Sequence, residues 1–173
     1  MAEAYPTPLA GQRITATLLR SMQPQVIRKT ADTSRSATTT TTADPHLTIE
    51  VEANAVYIWD GWVKYFADPA ADLTIDFTVP TNALGEWNGF AAGSGTSGVG
   101  VTTGYSIRTE ANDVSQSRNF YGSTDLTHGV KLDGILRVAS TGGTFSLDWA
   151  QGSSSATATI LYTDSWLRFQ RIA

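Results

Sequence analysis

The chain has no cysteine, which removes disulfides, thiolate nucleophiles and Cys-ligated zinc or iron–sulfur centres from consideration. Charge is also scarce: Asp, Glu, Lys and Arg make up 16% of the 173 residues, against about a quarter in an average globular chain. No apolar run is long enough to span a bilayer as a helix. The N-terminal MAEAYPTPLAGQ lacks the basic start and apolar core of a secretory signal. The sequence therefore predicts a chain made as a soluble protein in the cytoplasm. What is plentiful is apolar and aromatic material, 41% and 10% of residues, together with fifteen glycines. That is enough for one core, and the Thr, Ser and Gly content favours strands and tight turns over long helices.

Period-two alternation is the clearest pattern. HLTIEVEA sets Leu47, Ile49 and Val51 against Thr48, Glu50 and Glu52; DLTIDFTV and GTFSLDWAQ repeat it with Leu73, Ile75 and Phe77, and with Phe145, Leu147 and Trp149. Such strands have one buried and one wet face. NAVYIWDGWVKYF (54–66) is apolar on both parities: Ala55, Tyr57, Trp59, Val63 and Tyr65 against Val56, Ile58, Trp62 and Phe66. A strand covered on both faces is either central in a sandwich or packed against another subunit. SWLRFQRIA behaves similarly, with Leu167 and Phe169 opposed to Trp166, Arg168, Gln170 and Ile172. Turn sequences such as DPAAD, PTNALG, STGG and QGSSS separate eight to ten expected strands. With no helical period after residue 45, the expectation is all-β: an antiparallel β-sandwich, a jelly roll, over residues 45–173.

Residues 1–44 read as an arm. Ile14, Leu18, Leu19 and Met22 make an apolar stripe that predicts one short helix near 11–22, ended by Pro24. The Thr38–Thr42 run resists helix and predicts an extended connector or an outlying strand. Residues 1–43 hold Arg13, Arg20, Arg28, Lys29 and Arg35 against Glu3 and Asp32, while the whole chain carries a net charge of −4. A basic arm on an acidic body suits docking to an acidic partner.

Chemistry is hard to find. The two histidines, His46 and His128, lack companions at metal-ligand spacing, and His46 reads as a strand-entry residue. The carboxylates lie on the polar faces of strands, and no pair is selected as a glycosidase dyad. GSGTSG (93–98) has dinucleotide-type glycine spacing but no following helix, and reads as a loop. No basic patch with interleaved aromatics suggests nucleic acid. No cofactor, metal or catalytic residue is implied, and the chain is not expected to be an enzyme. Of the five tryptophans, Trp59 and Trp149 belong to the core set by parity. Trp62, Trp87 and Trp166 are the candidates for subunit contact or, less favoured, sugar stacking.

The segments YPTPLAGQRITATLLRSMQPQVIRKTADTSR, DPHLTIEVEANAVYIWDGWVKYFADPAADLTIDFTVP and STGGTFSLDWAQGSSSATATILYTDSWLRFQRIA resemble a group of small structural proteins of tailed bacteriophages of actinobacteria. The last looks like the closing hairpins of TNF-like or jelly-roll knobs on tails, fibres and capsids. The resemblance implies a homotrimeric knob in the virion, as an accessory tail or fibre protein or a capsid-decoration protein. Its anchoring arm would hold another virion protein through Arg13, Ile14, Leu18, Leu19, Met22, Arg28 and Lys29. Val56, Ile58, Trp62, Phe66 and Trp166 would form the subunit interface, and receptor contact would fall in 93–104 or 110–124. The alternative is a carbohydrate-binding module that adsorbs to host cell-surface glycan. A sandwich-fold hydrolase is a third reading, for which no catalytic set can be named.

Overall fold

In the computed structural model the described residues are 10–91 and 110–173. The expected antiparallel β-sandwich forms. Its elements are α1 (Ala16–Ser21), β1 (Gln25–Arg28), β2 (Thr33–Arg35), β3 (Thr42–Val51), β4 (Val56–Phe66), β5 (Leu73–Thr78), β6 (Leu84–Phe90), β7 (Asn112–Asp113), β8 (Arg118–Phe120), β9 (His128–Arg137), β10 (Gly143–Gln151), β11 (Thr159–Leu161) and β12 (Trp166–Arg171). One sheet runs β1-β12-β4-β9-β6-β7, with β11 beside β4 and β2 beside β11; the other runs β3-β10-β5-β8. Setting aside β2, β6, β7 and β11, the remaining strands numbered in chain order lie first-eighth-third-sixth in one sheet and second-seventh-fourth-fifth in the other. That is jelly-roll connectivity, widened by β6 and β7 beyond β9.

This topology corrects the division at residue 44. The first strand of the jelly roll is β1, inside the expected arm, and the boundary falls within β3. Gln25–Arg28 pairs with Phe169–Trp166 of β12, and Ile27 packs against the core. Four residues are too few to display a strand period, so the pairing edge of β12 rather than local pattern makes β1 a strand. The Thr run is likewise not a free stalk: Gln151 N–H donates to Thr38 O, Ala37 N–H to Ser155 O, and the Thr41 hydroxyl reaches Asp76. The helix spans six residues, shorter than expected. It starts where the Thr15 hydroxyl accepts from Leu18 N–H at 3.2 Å, an N-cap, and the preceding Gly11 has a positive φ of 80°.

The core lies between the sheets and is strongly aromatic. Phe145 and Phe169 pack edge to face at 4.9 Å between ring centroids, as do Phe77 and Trp87 at 5.0 Å, with Trp59 touching Phe77, Phe145 and Phe169. Such packing adds to simple area burial. Gly134 faces Trp59 on one neighbouring strand and Trp87 on the other. A Cβ there would sit 2.7 Å from the Trp59 ring and 2.6 Å from Glu86 O, so the glycine is what lets the Trp59 indole lie against β9. Trp87 is buried with its indole N–H on Gln116 O, which removes it from the exposed candidates. The wet face expected for β10 is covered as well: Asp148 accepts from the Ser146 and Thr78 hydroxyls at 2.5 and 2.7 Å.

Candidate functional site

β4 has the two-sided character its sequence announces. Tyr57, Trp59, Val63 and Tyr65 point into the core, while Ile58 and Trp62 stand exposed on the outer face of the large sheet. Register extends that face sideways. Trp62 lies between Trp166 of β12 and Lys131 of β9, with Phe90 of β6 beyond Lys131; Ile58 lies between Gln170 and Ile135; Val56 lies beside Arg137, with Leu84 beyond. Val26 on β1 continues the surface past Arg168. Six large apolar side chains, Val26, Ile58, Trp62, Leu84, Phe90 and Ile172, are exposed on this one face, with Trp62 at 43% and Leu84 at 65%. Asp60, Lys131, Asp133, Arg137 and Arg168 stand between them, so the face alternates apolar and charged groups, and an exposed Trp and Ile at its centre mark it as the candidate contact surface.

A charged knot sits in its middle. Asp60 accepts from Lys131 Nζ at 2.8 Å and from Arg168 Nε at 2.7 Å, and Lys131 lies 5.4 Å from the centre of the Trp166 ring. Partial burial pushes the Asp60 carboxyl upward in pKa, but the hydrogen bonds and charges of Arg168 and Lys131 outweigh this and hold it below the usual carboxylate range. Asp60 thus balances one of the two cations it joins, and Arg137, Glu86 and Asp133 lie on the same face outside the knot. Trp62 has its own seat: a Cβ on Gly129 would collide with the indole nitrogen, so the bare backbone of β9 there leaves room for the ring. Beside the knot, Pro24, Ile58, Asp60, Arg168 and Gln170 line a shallow depression of about 410 Å³.

The expected interface residues thus share one surface: Ile58 and Trp62 exposed, Val56, Phe66 and Trp166 half-buried. Leu84 and Phe90 belong to the same surface and had no alternation to reveal them, because Gly85 and Gly89 occupy the inward positions of β6. The expected anchor set is divided. Arg13, Ile14, Leu19 and Met22 are exposed and Leu18 is half-buried, at the end preceding β1. Arg28 forms an ion pair with Asp164.

Lys29 is a correction. It is fully buried, with its ammonium 2.5 Å from the equally buried Asp44 carboxylate, so it meets no partner outside the chain. The Thr33 hydroxyl, Trp149 indole N–H and His46 backbone N–H complete this inner cluster. Burial raises the Asp44 pKa, and the Lys29 hydrogen bond leads the group of contacts that lower it overall. Nothing in the spacing of Lys29 and Asp44 signals the pair; they meet only because β1 and β3 enter opposite sheets at the same end.

Among the described residues, no three His, Asp or Glu side chains gather as a metal site. The Gly93–Gly104 loop lies outside the described residues.

No protein-family model and no curated protein matches the chain. Two solved structures, those of the Gx and Gt strains of infectious bursal disease virus, were found at 12% and 11% identity; both cover 87% of this chain. This chain spans 41% and 37% of theirs, and the TM-scores are 0.23 and 0.17. Scores this low carry no argument about fold or function.

Proposed function

We propose that this protein is a non-enzymatic structural component of a tailed-phage virion, a knob that associates with two further copies of itself through the outer face of its large sheet. The observation that carries this reading is the apolar surface around Trp62 and Ile58. Asp60 joins Lys131 and Arg168 at its centre, which lowers the charge a covering copy would have to bury. The segment ahead of β1, with Arg13, Ile14, Leu19 and Met22, serves attachment to another virion protein by apolar contact. Lys29 takes no part in attachment, and Arg28 only after leaving Asp164. Immunogold labelling of purified particles with antibodies to this chain tests the assignment: label on particles is expected, and chain confined to the soluble fraction of the lysate contradicts it.

A second reading is favoured by one feature. Trp62 stands exposed beside Lys131, with Asp60 and Arg168 next along the same face, an aromatic platform with polar groups at its edge, which suits a sugar ring. In that reading the knob binds host cell-wall glycan, and Trp62→Ala abolishes saturable binding of the protein to purified wall polysaccharide.

A further inference from the structure

The inner Lys29 and Asp44 cluster is more than a buried ion pair. Lys29 Nζ lies 2.5 Å from Asp44 Oδ2, and both side chains have no exposure to water. The Thr33 hydroxyl touches both reactive groups: it accepts from Lys29 Nζ at 2.8 Å and donates to Asp44 Oδ2 at 3.0 Å. The Trp149 indole N–H also donates to Oδ2, at 3.2 Å. The other carboxylate oxygen, Oδ1, accepts the His46 backbone N–H at 2.9 Å. The chain thus holds an amine against a carboxyl group, with donors on one oxygen suited to its departure and a fixed backbone donor on the oxygen that would gather negative charge.

We propose that Lys29 and Asp44 condense to an amide, an intramolecular isopeptide cross-link between the segment after β1 and strand β3. The reaction begins with a proton passing from the ammonium through the Thr33 hydroxyl to Oδ2, leaving a neutral amine and a neutral acid; the contacts around Asp44 favour the ion pair, so this neutral form is a minor, reactive state, and burial reduces its cost. The Nζ lone pair attacks Cγ, the carbonyl electrons move to Oδ1, and the His46 N–H stabilises the charge there. A second proton passes from nitrogen through Thr33 to Oδ2. The bond from Cγ to Oδ2 breaks, Oδ2 leaves as water, and the Oδ1 electrons restore the carbonyl. The three hydrogens of the ammonium end as one on the amide and two on the water, with no oxidant, metal or other reagent. Two features drive the step: the pair is held in contact, so its effective concentration is high, and the amide escapes the desolvation cost that the buried ion pair carries. The product fastens the entry of the chain to the sandwich. The inference stands whether or not the protein belongs to a virion.

Intact-mass measurement of the full-length protein under denaturing conditions decides it. The expected mass is one water molecule below that of the sequence, and the deficit is absent from Lys29→Met. Trypsin should release a branched species joining residues 29–35 to residues 36–64, and Thr33→Val should slow its appearance. A wild-type mass equal to the sequence mass overturns the proposal. So does a water deficit that persists in Lys29→Met. Should that variant fail to accumulate, the wild-type mass and the branched peptide suffice.

Discussion

Two truncations that differ by eight residues should behave very differently. Deleting residues 1–22 removes α1 and leaves every strand of the sandwich. Deleting residues 1–30 also removes β1 and Lys29, so Asp44 stays buried beside Trp149 without its cationic partner. Breaking a buried pair by removing one member costs about 3–5 kcal/mol, a large share of the roughly 5–15 kcal/mol that holds a domain together. Loss of the β1 ladder and of Ile27 packing adds to this. At about 2–4 °C per kcal/mol for a chain of this size, the longer deletion should melt roughly 6–20 °C below the shorter one. Circular dichroism melts of both, with urea unfolding as a check, measure the gap. If the two truncations melt within about 2 °C of each other, the placement of β1 and Lys29 inside the fold is refuted.

Three further outcomes follow from particular contacts. Gly134→Ala, which forces a Cβ against Trp59 and Glu86 O, should lower the urea midpoint by an amount equivalent to about 1–3 kcal/mol while leaving the slope unchanged; an unaltered midpoint would mean the sheet yields freely there. Asp60 has a depressed folded pKa, so its contribution to stability is present above the unfolded aspartate value near about 3.9 and is lost as pH falls through the folded one. Asp60→Asn should therefore flatten the acid limb of a stability profile below about pH 4, and an identical limb would show that Arg168 and Lys131 do not stabilise the carboxylate. Trp87→Ala should destabilise by about 3–5 kcal/mol without affecting any binding at the outer face, whereas Trp62→Ala should do the reverse; matched stability losses in both would contradict their opposite burial.

The sandwich was legible because its long strands keep strict alternation. Leu73, Ile75 and Phe77, or Phe145, Leu147 and Trp149, declare their inward face without help from the rest of the chain, and the double-sided pattern of 54–66 matched one core face and one exposed apolar face. What escaped depends on partners distant in sequence. β1 is a strand because β12 offers it an edge, and β10 has a covered outer face because the Thr run folds back over its end. Trp87 faces the core between Gly85 and Gly89, and those two glycines hide the alternation that would have shown this. Lys29 and Asp44 each resemble ordinary surface residues until the two sheets bring them into contact. The outer face was half legible: Ile58, Trp62 and Trp166 stand out in their own strands, whereas Leu84 and Phe90 join them only through register.

The central claim is that the outer face of the large sheet is where copies of this chain meet. Light scattering of the purified full-length protein, beside an Ile58→Asp, Trp62→Asp double variant, tests it directly. The account predicts a mass of three chains for the wild type and of one chain for the variant, with near-identical melting of the monomeric cores. A wild type that remains monomeric at high concentration, or a variant that stays trimeric, would contradict it.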